Sequence, residues 1–237
     1  MTTTTSISHQ ERALRIHDIL FEAYGGPFHF FSTKDPLSEL VSALLSHRTK
    51  NRVSGIAYRE LRKRYPTWQQ VLDANIADIE QTIHMVTFPE VKAPRIKEAL
   101  AEIKSRNNGE LTLDFLADMP IPEGRAWLEA IRGVGVKTSA ATLNFSHLRM
   151  PALVVDTHHH RVAQRLGIVP PKASLDKAAR MLESYLPSEW DGQLVYDNHQ
   201  AYMRHGQKCC HWRHPECERC PVKHLCDYGM AKVTVAI

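Results

Sequence analysis

The first 208 residues contain no cysteine, and the five that occur, Cys209, Cys210, Cys217, Cys220 and Cys226, crowd towards the end of a 237-residue chain. A disulfide framework joining distant parts of the fold is thereby excluded, and an odd number of clustered thiols argues for metal ligation instead. Long apolar runs are missing too: no stretch approaches the roughly 18 uninterrupted residues that a membrane span needs. Met1 leads into a Thr/Ser run rather than a charged segment with an apolar core, so the start is expected to be disordered and the protein to stay in the cytoplasm, at the nucleoid. No repeat of fixed period occurs. What remains is the composition of an ordinary water-soluble domain, 43% hydrophobic and 24% charged, long enough for one large core or two modest ones.

A net charge of +4 is too small to name a partner, but its distribution is uneven. Arg48, Lys50, Arg52, Arg59, Arg62, Lys63 and Arg64 face the single acid Glu60, and a second basic stretch holds Arg204, Lys208, Arg213, Arg219 and Lys223. Phosphate is one target that suits such stretches, and a solvated helix face is the bland alternative.

Apolar residues recur at spacings of three and four, as in Ile16, Ile19, Leu20, Ala23 and in Leu37, Leu40, Val41, Leu44, Leu45, which predicts amphipathic helices nearly throughout. Ser8 with Glu11 and Thr67 with Gln70 carry capping-box spacing, Pro36 opens a helix, and Gly25-Gly26-Pro27, Pro66 and Asn107-Asn108-Gly109 close others. The fold class is all-α. Only Leu153–Val155 and the tail Val233–Ile237 read as extended, too little for a sheet.

Four constellations carry chemistry. In the first, a helical run ends at Gly133, Val134 separates it from Gly135, and helical spacing resumes at Thr138: a helix, a tight hairpin and a second helix. Glycines there let a phosphate approach the backbone, and the free N–H groups of the new helix favour anions. A plain interhelical turn is the alternative. Lys137 stands at the start of that second helix, where the dipole disfavours a further positive charge and partial burial favours the neutral, nucleophilic amine; a phosphate-contacting lysine is the other reading. Asp156 follows the apolar run Ala152–Val155 and is placed to cap a helix, while a carboxylate held ionised by N–H donors also suits a cationic sugar intermediate. The neighbouring His158, His159 and His160 point in different directions on a helix, which argues against a metal site built from all three. Last, Cys210, Cys217, Cys220 and Cys226 form a Cys-x6-Cys-x2-Cys-x5-Cys run that suits a tetrahedral zinc or an iron-sulfur cluster, with Cys209 as a bystander.

Taken in order, Gly133-Val134-Gly135-Val136-Lys137-Thr138, Val155-Asp156-Thr157-His158 with Arg161-Val162, and the cysteine run closely resemble the endonuclease III family of helix-hairpin-helix glycosylases, over about residues 10–228. Leu44-Leu45-Ser46 and Lys92-Ala93 match it upstream. The resemblance implies two helical domains with a DNA cleft between them: residues 1–35 packing with a cluster domain at 149–237, and a six-helix domain at 36–148. It implies Lys137 as nucleophile, Asp156 as its partner, and the four cysteines as ligands of a 4Fe-4S cluster, in a monomeric enzyme on damaged double-stranded DNA. Gly133, Gly135, Thr138, Arg48, Phe88, His158 and Arg213 are the implied DNA contacts. The implied activity is a bifunctional DNA glycosylase and AP lyase of base excision repair that removes oxidised pyrimidines and nicks by β-elimination. A non-catalytic DNA binder and a monofunctional glycosylase are the competing readings. The chain departs from the family at His47-Arg48, where Ala-Gln is usual, at Asn51, at Thr87-Phe88-Pro89 and at His159-His160, so its lesion preference need not follow the family's.

Overall fold

The computed structural model describes residues 7–234, and no strand occurs among them. The start expected to be disordered (residues 1–6) lies outside the described residues. The expected all-α class is observed, in two compact units: Phe31–Met150, and Met1–Phe30 with Pro151–Ile237.

The unit 31–150 holds seven helices: α2 (Pro36–Ser46), α3 (Asn51–Arg64), α4 (Trp68–Asp73), α5 (Ile76–Thr82), α6 (Pro89–Arg106), α7 (Ile121–Glu129) and α8 (Val136–Phe145). The extended backbone of Ala74 (ψ 153°) separates α4 from α5. Asp35 starts α2 by accepting the Ser38 N–H at 2.8 Å, with Pro36 in the first turn. The apolar face read from the sequence, Leu37, Leu40, Val41, Leu44 and Leu45, is buried, because α2 packs against α3, α6 and α8. Each such side chain contributes about 1.5–3 kcal/mol of burial free energy. The Thr67–Gln70 pair forms a reciprocal capping box at α4.

The other unit holds α1 (His9–Ala23), α9 (Thr157–Leu166), α10 (Leu175–Ser184), α11 (Gly192–Lys208) and α12 (Asp227–Thr234). Ser8 caps α1, which packs on α11; α9 lies against α11, α10 and α12. Two expectations of extended structure need correction. Leu153–Val155 forms no strand; it is a buried link whose polar groups find side chains, Glu183 Oε1 accepting the Leu153 N–H at 3.0 Å and His199 Nδ1 donating to the Val154 carbonyl at 2.8 Å. Val233 and Thr234 close α12, the helix continuing through β-branched residues that alone favour a strand; residues 235–237 lie outside the described residues.

Candidate active site and metal centre

α7 stops at Glu129 and α8 starts at Val136, two residues before the expected Thr138. Between them the Val134 N–H donates to the Ile131 carbonyl at 3.0 Å, and across the turn Ser139 Oγ donates to Glu129 Oε1 at 2.7 Å. The two glycines differ in what the fold asks of them. Gly133 has φ +90°, and a Cβ there would collide with the Arg95 side chain, so only glycine fits. Gly135 has φ −107° and open space where a Cβ would sit. The fold does not require it, and its absence of a side chain leaves the backbone bare to a ligand.

Lys137 lies half-buried in the first turn of α8, and Thr138 beside it is buried. Thr138 Oγ1 stands 3.0 Å from Nε2 of His47, the C-cap residue of α2. Burial, then the nearby charges of Lys137, Lys92 and Arg95, push the His47 pKa down to about 4, so its ring is neutral at neutral pH.

Arg48 and Phe88 share a second feature, a left-handed backbone in a residue that is not glycine (φ 54° and 59°). Such conformations cost of order 1–3 kcal/mol and persist where surrounding structure fixes them. Here Lys92 does the fixing: its Nζ donates to the Leu45 carbonyl (2.8 Å), the His47 carbonyl (2.7 Å) and Thr49 Oγ1 (2.8 Å), and the Thr87 N–H also reaches Thr49 Oγ1 (3.1 Å). The loops carrying Arg48 and Phe88 are thus tied together with both side chains exposed. Burial lowers the Lys92 pKa to about 8. Lys92-Ala93 was legible only as a match to the family, and α6 opens three residues earlier, at Pro89; that Lys92 anchors two loops was not legible.

Asp156 caps α9, its Oδ1 accepting the His159 N–H at 2.8 Å. Burial alone raises its pKa, but His199, the His159 N–H and the charges of His159 and His158 outweigh burial and hold the carboxyl below its ordinary value. The three consecutive histidines part as expected. Arg161 donates to His158 Nδ1 at 3.2 Å, His159 stacks on Tyr202 with ring centroids 4.3 Å apart, and His160 Nε2 donates to the Ala173 carbonyl at 3.0 Å. Arg161, noted in the sequence only as part of a motif, also donates to the carbonyls of Gly206 (2.7 Å) and Cys210 (2.9 Å), joining α9 to the cysteine loop.

All five cysteines line one cavity, together with His205, Arg165 and Glu216. Arg165 Nη1 donates to Cys210 Sγ and the Gly229 N–H to Cys226 Sγ, both at 3.3 Å. Cys209, read as a bystander, is buried on the same cavity. Of the basic stretches, part is structural: Arg62 lies over the Trp68 ring, Arg64 pairs with Asp78, Arg204 lies over Phe28 and Arg219 pairs with Glu216. Arg52, Arg59, Lys63, Lys208 and Arg213 remain exposed. No helix among the described residues is long and apolar enough to cross a membrane.

Residues 41–188, more than half of the chain, match the model of the HhH-GPD superfamily of base excision DNA repair proteins. The chain belongs to this superfamily. It is 32% identical over 173 residues to a putative DNA glycosylase of Arabidopsis thaliana, covering 73% of this chain and just over half (57%) of that protein. It is 29% identical over 195 residues to endonuclease III of Haemophilus influenzae, covering 81% of this chain and 84% of that one. A trapped endonuclease III–DNA covalent intermediate shares the fold, with a TM-score of 0.79 and 23% identity over 96% of this chain and all of the other. The resemblance to the endonuclease III family read from the motifs is borne out.

Proposed function

We propose that this base excision repair protein is a bifunctional DNA glycosylase and AP lyase, acting as a monomer on damaged duplex DNA in the cytoplasm, at the nucleoid, with Lys137 as nucleophile. The observation that carries the reading is a half-buried lysine in the first turn of α8, directly after a hairpin whose exposed Gly135 the fold does not need. The bare backbone there suits a phosphate, held without reading sequence. With the strand so held, a damaged base is flipped out, most easily where it pairs poorly. Lys137 attacks C1′ as the amine, the bond from C1′ to the base breaks, and the base leaves with that electron pair and takes up a proton. The nitrogen lone pair then opens the sugar ring by breaking the C1′–O4′ bond, with O4′ taking up a proton. The Schiff base so formed acidifies the C2′ proton; loss of that proton breaks the C3′–O3′ bond and expels the 3′ phosphate, and the strand is nicked. Asp156, held as the carboxylate, stabilises the positive charge that develops on the sugar.

The residues around the cavity fit a 4Fe-4S cluster: four of its thiols have ligand spacing, and Arg165 and the Gly229 N–H aim donors at two sulfurs, as suits thiolates. Cys210, Cys217, Cys220 and Cys226 would hold it, and it would supply a rigid crosslink for the loop that carries Arg213.

Borohydride trapping tests the reading. Wild-type protein should yield a covalent complex with duplex carrying an abasic site, and base release with strand nicking on oxidised pyrimidines. Base release without a trapped complex would mean a monofunctional enzyme, and neither product would mean a DNA binder.

Arg48 stands where the family's Gln would face the gap left by the flipped nucleotide, and its guanidinium offers donors but no acceptor. An opposite guanine, with acceptors at O6 and N7, should therefore be preferred. Single-turnover excision of one lesion opposite each of the four bases measures this. Arg48→Gln should flatten the preference; an equal change in all four rates would make Arg48 a backbone contact.

A further inference from the structure

The turn that follows α2 presents Arg48 at a position that favours glycine. His47 has φ −56° and ψ 120°, Arg48 has φ 54°, and the Thr49 N–H closes the turn on the Ser46 carbonyl at 3.0 Å. This is a type II turn, whose third residue needs a left-handed backbone and is ordinarily Gly or Asn. The three bonds from Lys92 Nζ and the one from the Thr87 N–H pin the same segment, so residues 46–49 move as one piece. From that piece the His47 side chain reaches the helix that carries the nucleophile. His47 Nε2 stands 3.0 Å from Thr138 Oγ1, and Thr138 is 2% exposed. Each of the bonded residues adjoins a functional one: Arg48 is one peptide bond from His47, and Lys137 is one from Thr138. Burial and the charges of Lys137, Lys92 and Arg95 hold the His47 pKa at about 4, so the imidazole that makes the contact is neutral throughout the working pH range.

We infer that His47 is a positioning residue through which the fit of Arg48 to the opposite base governs the placement of the Lys137 amine, so that opposite-base preference acts on the chemical step rather than on binding. The inference rests on the readings of Arg48 and Lys137 given above. Its physical basis is stiffness. A base that suits Arg48 leaves the turn 46–49 where His47 holds Thr138. A base that fits poorly displaces the turn. Because the turn is closed on itself and pinned by Lys92, the displacement is not absorbed within it; it passes through the 3.0 Å contact to the first turn of α8. Attack on C1′ tolerates little of this, since a misplacement of about 1 Å can lower a rate on the order of 10²-fold. The alanine usual in the family at position 47 has no group to reach Thr138, so the coupling belongs to this chain and not to the family's common machinery.

The test uses the full chain and duplexes with an abasic site opposite each of the four bases, measuring the single-turnover rate of borohydride trapping and, separately, the affinity. In wild type, trapping should be fastest opposite guanine, with the four rates spread more widely than the four affinities. His47→Ala, which introduces the residue usual in the family, should slow trapping opposite guanine by about tenfold or more, draw the four rates together and leave the affinities unchanged. Thr138→Val, alike in shape but without the hydroxyl, should do the same. The double variant should be no slower than either single one, because both changes remove the same contact. His47→Gln, whose amide can still pair with the hydroxyl, should restore most of the spread. A spread of rates that survives in His47→Ala overturns the inference while leaving the Lys137 reading intact. So do rates that fall by one common factor opposite all four bases, or single-variant effects that multiply in the double variant. Wild type that gives no trapped complex overturns the Lys137 reading, and the inference with it.

Discussion

Lys137→Gln is expected to reduce the borohydride-trapped complex on abasic duplex to undetectable levels while duplex affinity stays near that of wild type. Glutamine keeps most of the length and polarity of lysine but has no amine to form an imine. The hairpin that would hold phosphate is made by Gly133 and Gly135, and neither its turn nor the Thr138–His47 contact at 3.0 Å depends on the Lys137 side chain. A control is built into the site. His47 is depressed to about 4 by burial and then by Lys137, Lys92 and Arg95. Removing one of those positive charges removes a penalty on the imidazolium, so the His47 pKa should rise in the variant yet stay below its ordinary 6.5. NMR titration reads this directly and shows that the local structure is intact. Survival of the trapped complex would place the amine on another lysine. Lys92 is a poor substitute although its pKa is lowered to about 8. It is 7% exposed, with its three donors committed to Leu45, His47 and Thr49.

The same residues show where sequence reading reaches and where it stops. Local rules act over a few residues, so the helices, the Thr67–Gln70 box and the Asp156 cap were legible, and the burial of Leu37, Leu40 and Leu44 followed from period alone. What depends on distant partners was not. Lys92 is bonded to the Leu45 and His47 carbonyls at the end of α2, some forty-five residues earlier in the chain, and no spacing announces that. Counting positive charge treated Arg62 and Arg204 like Arg59, yet the first two lie over aromatic rings and Arg59 is exposed. Gly133 and Gly135 look equivalent in a Gly-x-Gly motif; the left-handed backbone of Gly133 and the Arg95 side chain beside it distinguish them. Cys209 falls outside the four-cysteine spacing, and its nearness to Cys220 comes from the loop's return past the end of α11.

Asp156→Asn is expected to slow single-turnover base removal by about 10²–10³-fold, the size of effect seen when a preorganised electrostatic group is lost at a transition state, with little change in duplex affinity or melting temperature. The cap survives the exchange, because an asparagine oxygen can accept the His159 N–H as the Asp156 carboxylate does at 2.8 Å, and Asn and Asp are nearly equal as N-caps. Only the charge is removed. The direction of the Asp156 pKa fixes the pH dependence. Burial pushes it up, but His199, the His159 N–H, His159 and His158 together hold it below the ordinary 3.8. A folded-state pKa depressed in this way means that the carboxylate, and the stability it contributes, is fully present above the unfolded value and is lost only as pH falls through the folded one. Wild-type excision should therefore show no acid limb from Asp156 above about pH 4, and the Asn variant should stay slow throughout that range. An equal loss of affinity and rate, or a melting temperature that falls in step with the rate, would reduce Asp156 to a helix cap and move the stabilising charge elsewhere.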